Sequence, residues 1–373
     1  MSADNEKFEW MAGLYYTDED SAIDPQFYVA VDAGTENVLD LPTVLGQAGI
    51  NANYKELAAF GNATWYLAPR WELTFGLRAS KNDQKVTQFL DGILLGLAAP
   101  DIAYGESSES PFTWSIAPRF AISDNTSIYV RAATGFRPGG PNIVPPTAPP
   151  DTPASYDSDS LTSYEIGVKT SGELVSFDVA VFFQDWEDIQ LLATFGTGGN
   201  AVAVNANGGK AKSNGVEFAA AFVPLEGLNL FLNGAYTDAS LTEDAPAAGG
   251  LNGDPLPYVP EWSFSAGGDY DWSLAGGNTA YVGGTLSYTG DRPSAFDNRN
   301  ASDNSIIEAS SYNLVNLRAG IETERWVFEL YGRNLTNEYA GNSVGGASLL
   351  PNGAVSIGVL RPRTYGLSAS VRF

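Results

Sequence analysis

Residues 261–270, Glu261-Trp262-Ser263-Phe264-Ser265-Ala266-Gly267-Gly268-Asp269-Tyr270, decide the fold class. Side chains of an extended chain alternate between two faces. Trp262, Phe264, Ala266, Gly268 and Tyr270 therefore share one face, and Glu261, Ser263, Ser265, Gly267 and Asp269 share the other. One face is apolar and the other wet. The same alternation sets Leu228, Leu230, Leu232 and Tyr236 against Asn229 and Asn233, and at the C-terminus Tyr365, Leu367, Ala369, Val371 and Phe373 against Thr364, Ser368, Ser370 and Arg372. Small polar residues on the second face suit a wide, wet lumen better than a close-packed dry core.

Strand patterns recur at 7–16, 53–67, 70–80, 112–121, 126–136, 160–170, 174–188, 210–223, 228–238, 259–271, 279–289, 311–322, 325–334 and 363–373. This predicts about fourteen antiparallel strands and no dominant helix. Their connections alternate in length. Short turns fall at Ala68-Pro69-Arg70, Ser123-Asp124-Asn125, Ser171-Gly172-Glu173, Leu225-Glu226-Gly227 and Thr323-Glu324, and long Gly-, Pro-, Asn- and Asp-rich segments at 17–52, 81–111, 137–159, 239–257, 290–310 and 335–362. Short turns on one rim and long loops on the other are the plan of a transmembrane β-barrel, an asymmetry that a soluble sandwich or propeller does not need. The whole chain, 1–373, reads as one domain, because the Pro-rich stretch 138–153 sits between strands and no fixed-period repeat divides it.

Composition narrows the chemistry. With no cysteine and no histidine, thiolate and imidazole nucleophiles, disulfides and the usual zinc sites are excluded. No catalytic, cofactor or metal role is assigned to any residue. Against 44 acidic residues stand 20 Lys and Arg, a net charge of −24 that opposes binding to nucleic-acid phosphates. Much of the acidity lies in 17–40, 151–160, 238–254 and 291–308, which read as solvated loops. No apolar run approaches the ~20 residues of a membrane-spanning helix, whereas barrel strands escape any hydropathy window. The start, MSADNEKFEW, has neither the basic region nor the apolar core of a secretory leader.

Several blocks, in order, resemble the TonB-dependent receptor family: LAAFGNA at 57–63 with WELTFGLR at 71–78, SIYVRAATGFRPGG at 127–140, SYEIGVK at 163–169, 177–190, SNGVEF at 213–218, LYGRNLTNEY at 330–339, and the terminal strand to Phe373. The resemblance implies an all-β, antiparallel transmembrane barrel. In the family it has roughly twenty-two strands closed by an N-terminal plug, so this chain is expected to be the C-terminal part of such a barrel. It further implies a Gram-negative outer-membrane location and uptake of a scarce nutrient such as a ferric siderophore. Lipid, the barrel-assembly machinery and, through a plug, the TonB energy-transducing complex are the implied partners. Tyr365, Leu367, Ala369, Val371 and Phe373 would form the barrel-assembly signal.

Candidate contacts to an anionic cargo are Arg131, Arg137, Arg318, Glu329 and Arg333, since guanidinium groups bind carboxylate and phosphate in two-point fashion. The same residues also fit an ion-pair network along a lumen wall. Asp185, Glu187 and Asp188 read as the polar end of a strand entering a loop rather than as paired catalytic carboxylates. Asp297, Asn298, Asn300, Asp303 and Asn304 offer oxygen atoms to calcium, but without the spacing of a defined loop. Two rival functions are a small passive pore and a secreted β-rich binding protein.

Overall fold

A continuous backbone ladder runs through fourteen strands in the computed structural model, which describes residues 7–24, 26–27, 30–31, 38–39, 46–92, 97, 99–196, 201–296, 299, 303–345 and 356–372. The strands are β1 (Phe8–Ile23), β2 (Gly46–Ala68), β3 (Trp71–Asp91), β4 (Phe112–Ala121), β5 (Thr126–Arg137), β6 (Asp159–Ser171), β7 (Val175–Glu187), β8 (Lys210–Leu225), β9 (Leu228–Leu241), β10 (Trp262–Ser273), β11 (Thr279–Thr289), β12 (Tyr312–Glu322), β13 (Trp326–Arg333) and β14 (Thr364–Val371). Each pairs antiparallel with its sequence neighbour. Among the described residues no ladder joins β1 to β14, so both remain edges. No helix among the described residues is long and apolar enough to cross a membrane.

Because antiparallel strands alternate in direction, 69–70, 122–125, 172–174, 226–227, 274–278 and 323–325 lie at one rim, and the described residues of 92–111, 138–158, 188–209, 242–261, 290–311 and 334–363 lie at the other. Gly227 shows why a short turn needs its residue: its φ is 81°, and a Cβ there would meet the Asp271 carbonyl oxygen at 2.1 Å. The expected boundaries of three strands are corrected. The polar stretches 17–23, 46–52 and 81–91 continue β1, β2 and β3, and Asp101–Glu109 pairs with β3 at residues 82–90. Alternation is weak there because both faces carry polar residues. The segment 188–209, not foreseen as a long loop, contains a hairpin of Gln190–Phe195 against Val202–Asn207.

Register carries the two faces across the whole sheet. Trp262 pairs with Tyr236, Leu286 with Ala266 and Leu317 with Gly284, all on the apolar side. Leu14 is 81% exposed and Leu367 75% exposed on this side, far more apolar surface than a soluble monomer leaves uncovered. Aromatic contacts gather toward its two rims. Trp71 with Phe120 (4.7 Å) and Tyr270 with Trp272 (5.5 Å) lie near the short turns; Tyr164 with Phe183 (6.3 Å) and Tyr236 with Trp262 (5.0 Å) lie near the loops. Such girdles mark the two interfaces of a bilayer.

The opposite face is polar and self-bonded. Arg78 meets Glu56 at 2.5 Å, Arg119 meets Glu72 at 2.9 Å, Lys169 meets Asp178 at 2.8 Å, and Ser265 shares a hydrogen bond with Ser287 at 3.1 Å. Large rings on this face lie over glycines directly opposite: Tyr129 over Gly167 and Tyr331 over Gly366, with the same arrangement at Phe182 and Gly215, Phe231 and Gly267, and Tyr281 and Gly320. A Cβ at Gly366 would sit 2.3 Å from the Tyr331 ring, so only glycine lets the ring lie flat. At the loop rim, Ile189, Leu241, Leu256 and Phe296 form a buried core with Ala211 and Ala239. The described parts of connections 188–209, 242–261 and 290–311 pack together there.

Replacing an apolar-face residue near mid-strand by a charge is expected to be costly where the polar face tolerates it. Leu286→Arg should destabilise the chain in lipid vesicles by about 2–4 kcal/mol; Thr285→Arg should cost under about 1 kcal/mol. Equilibrium unfolding in urea measures both, and equal losses would contradict the face assignment.

Candidate functional site in the lumen wall

The block Thr134-Gly135-Phe136-Arg137-Pro138-Gly139-Gly140 ends β5 at the loop rim, where Pro138 has no N–H to extend the ladder. Arg137 pairs in register with Asp159, the first residue of β6. Its backbone N–H donates to Asp159 Oδ1 at 3.0 Å and its Nε–H to Oδ2 at 2.8 Å, while Nη2 reaches the same carboxylate and also donates to the Gln190 carbonyl oxygen at 3.1 Å. The guanidinium lies over the Trp186 ring at 4.6 Å. Asp159 is 2% exposed; its charge is buried only because a two-point guanidinium and the Gln190 N–H (3.3 Å) satisfy it. The reading of 151–160 as wholly solvated is corrected at this residue.

Gln190 closes the joint by donating its amide N–H groups to the carbonyls of Arg137, Pro138 and Asp157 at 3.3, 3.0 and 3.0 Å. Asn142 donates to the Asn205 carbonyl at 2.7 Å and accepts the Asn205 N–H at 3.1 Å, and Asn207 accepts the Asp157 N–H at 2.7 Å. Loop 138–158 and hairpin 190–207 are thereby one unit. A second joint links loops 242–261 and 290–311 through the ion pair of Arg299 with Asp254, whose carboxylate also accepts the Leu251 N–H at 2.7 Å.

Between these joints the polar face opens into a cavity of about 460 Å³, bounded by Arg137, Asp159, Leu161, Gln184, Trp186, Thr237, Leu256 and Val259. Aromatic and aliphatic walls with one ion-paired corner, Arg137 with Asp159, suit an organic ligand. A wider concavity of about 580 Å³ lies toward the short-turn rim, against small residues such as Ser127, Ser176, Ala219 and Ala221. Arg119, Lys169 and Asp178 also line it, each tied into an ion pair along the wall.

All five candidate cargo residues lie on the polar face, but the fold does not bring them together. Arg131 and Arg137 stand on β5, whereas Arg318, Glu329 and Arg333 stand on β12 and β13. Arg318 donates to Asp269 at 2.7 and 3.1 Å across Gly283, whose absent side chain leaves room for the pair. Glu329 accepts from Tyr281 Oη at 2.9 Å. Arg333 rests over Tyr331 at 4.9 Å, and Arg131 faces Glu165 in register. Among the described residues neither Arg131 nor Arg333 makes an ion pair. Sequence reasoning found Arg137 but missed Asp159, Trp186 and Gln190. Trp186 was legible as a wet-face aromatic, while Gln190 carries no local signal. Glu187 ends β7 and Asp188 has a left-handed φ of 53°, as expected of a polar strand end. Asp297, Asn298, Asn300 and Phe373 lie outside the described residues, and Asp303 and Asn304 are exposed. Tyr365, Leu367, Ala369 and Val371 share the apolar face of β14.

Residues 4–335 match the family described as TonB dependent receptor-like, beta-barrel. The pesticin receptor of Yersinia enterocolitica serotype O:8 is 28% identical over 225 residues, covering 60% of this chain and 31% of that protein. The structure of the ferric yersiniabactin uptake receptor FyuA from Yersinia pestis superposes with a TM-score of 0.79 at 21% identity, covering 100% of this chain and 52% of that one. The ferric-catecholate import receptor Fiu from K12 E. coli superposes at 0.73 with 15% identity, covering 98% of this chain and 52% of that one. The chain thus spans about half the length of these receptor structures, and they share its fold.

Truncating Arg137 is expected to leave Asp159 as a buried, uncompensated charge. Arg137→Ala should cost about 3–5 kcal/mol locally and make loop 138–158 far more sensitive to protease. Arg131→Ala, which breaks no ion pair, should change cleavage little; the two rates under native conditions decide.

Proposed function

Because the chain belongs to the TonB-dependent receptor β-barrel family, we propose that it forms the barrel wall and outer loops of an outer-membrane receptor that takes up a scarce nutrient, a ferric siderophore or similar anionic chelate, energised through TonB. The observation that carries this reading is the cavity at the loop end of the polar face, where the Arg137 guanidinium lies over Trp186 beneath interlocked loops. An anionic chelate with aromatic or aliphatic arms matches both parts of that wall. Receptors for ferric yersiniabactin and ferric catecholates share the fold, which supports the cargo class. No covalent chemistry is needed, so the residues named here bind and orient and do not catalyse.

The remaining partners follow from the same reading. The apolar face of β1–β14 is covered by outer-membrane lipid. The exposed β14 strand, with Tyr365, Leu367, Ala369 and Val371 and the terminal Phe373, is the segment recognised by the barrel-assembly machinery. TonB acts through a plug enclosed by the wall.

The test is binding of ferric chelates to the purified chain in detergent, followed by tryptophan fluorescence. A chelate that binds wild type should bind Trp186→Ala about tenfold or more weakly, the worth of a desolvated cation–π and stacking contact. Leu192→Ala, on the outer hairpin, should leave affinity unchanged. Equal affinity of Trp186→Ala and wild type for every chelate tested removes the cavity as the site. Steady ion conductance through planar bilayers, without any chelate binding, would favour a passive pore instead.

A further inference from the structure

Asn82 lies on the polar face of β3, is 1% exposed, and has no hydrogen-bond partner on either amide atom. Ser80, two residues before it on the same face, is 8% exposed with its hydroxyl unpartnered. Buried polar groups left unsatisfied lose their hydration without replacement, so a native wall fills the place with something. The flanking strands show what would fit. Asn82 is the register partner of Glu56 on β2 and of Glu109 on the neighbouring strand 101–109. Register partners present their side chains to the same face with Cβ atoms about 4.5–5.5 Å apart. Two carboxylates therefore stand on either side of one buried, unused amide.

The charges do not cancel. Glu56 is neutralised by Arg78 at 2.5 Å, and its other oxygen accepts weakly from Tyr54 Oη at 3.4 Å. Glu109 has one partner among the described residues, the backbone N–H of Gly139 at 2.8 Å. Water would satisfy the amide yet leave the Glu109 charge uncompensated. A hard cation satisfies the Asn82 Oδ1 and the Glu109 carboxylate together, and leaves the Asn82 Nδ2–H to donate to water, because calcium takes mixed carboxylate, amide and hydroxyl oxygens at about 2.3–2.6 Å in flexible geometry. An ion held in front of Asn82 is within reach of glutamates one strand spacing, about 4.8 Å, to either side.

We propose that Glu56, Asn82, Ser80 and Glu109 form a divalent-cation site for calcium, built into the polar face behind the Arg137 loop. The site has a mechanical consequence. Glu109 holds the Gly139 N–H and Gln84 donates to the Gly139 carbonyl at 2.7 Å, so an ion on Glu109 ties the root of loop 138–158 to three strands at once. Occupancy stiffens the entrance of the cavity whether or not that cavity binds a chelate.

The test uses calcium alone, added to the purified chain in detergent after chelator treatment. Isothermal titration and displacement of tyrosine-sensitised terbium luminescence report binding. One saturable site is expected, weakened about tenfold or more by Glu109→Gln and by Asn82→Ala. Ser80→Ala, the mildest change, should weaken it severalfold and covers the case in which the other variants fail to fold. Asp303→Asn, on an exposed loop, should leave it unchanged. Calcium affinity unaltered in Glu109→Gln and Ser80→Ala would place any binding elsewhere and overturn the proposal. Absence of calcium binding by the wild-type chain would overturn it outright, and a higher thermal stability of Asn82→Leu would then identify a hydrated polar pocket in its place.

Discussion

Every peptide N–H and C=O that enters hydrocarbon must find its partner within the protein, since each one left open costs several kcal/mol. A sheet whose strands bond on both sides meets that requirement, and the described residues of this chain form such a sheet from its second to its thirteenth strand. The remainder of the molecule follows from it. Once the ladder is formed its register is set, and a one-residue slip would turn every leucine of the outer face inward. Fourteen strands in unbroken antiparallel order therefore convert a period-two sequence pattern into two continuous surfaces, one apolar and one hydrogen-bonding. The cost falls on β1 and β14, each of which bonds to one neighbour among the described residues and leaves its other side open.

The polar surface is organised as a wall rather than a core. Rings laid over opposite glycines let adjacent strands approach without filling the lumen, and pairs such as Arg318 with Asp269 staple one strand to the next but one across a glycine. Side chains held flat or tied in pairs leave the central space open. The loop end differs. There Ile189, Leu241, Leu256 and Phe296 build a small dry core, and two ion pairs, Arg137 with Asp159 and Arg299 with Asp254, lock four loops in two joints. A rigid rim of this kind can present a preformed cavity to a ligand, which reduces the ordering entropy lost on binding.

Much of the site's character comes from residues whose local context looks unremarkable. Asp159 lies in an acidic stretch that resembles solvated loop, yet it is among the most buried side chains of the chain because β6 starts there and Arg137 stands opposite. Asp254 is half of an ion pair for the same kind of reason. Gln190 begins a hairpin and supplies amide hydrogens to three carbonyls of another loop. Burial of a charge depends on what the chain places across from it, and that partner stands 22 residues away for Asp159 and 45 for Asp254.

The local alternation at Trp262–Tyr270 and Tyr365–Val371, together with short turns such as Ser123-Asp124-Asn125, determined by themselves that this protein is an antiparallel sheet with one apolar face, long loops at one rim and about fourteen strands. Those properties are legible because side-chain period and turn chemistry are near-neighbour effects. Which wet-face residues meet is set by the folded sheet. It separated Arg131 and Arg137 from Arg318, Glu329 and Arg333, extended the polar ends of β2 and β3, and set Asn82 between Glu56 and Glu109. Register between strands distant in sequence is a cooperative property of the whole ladder, and no local window contains it.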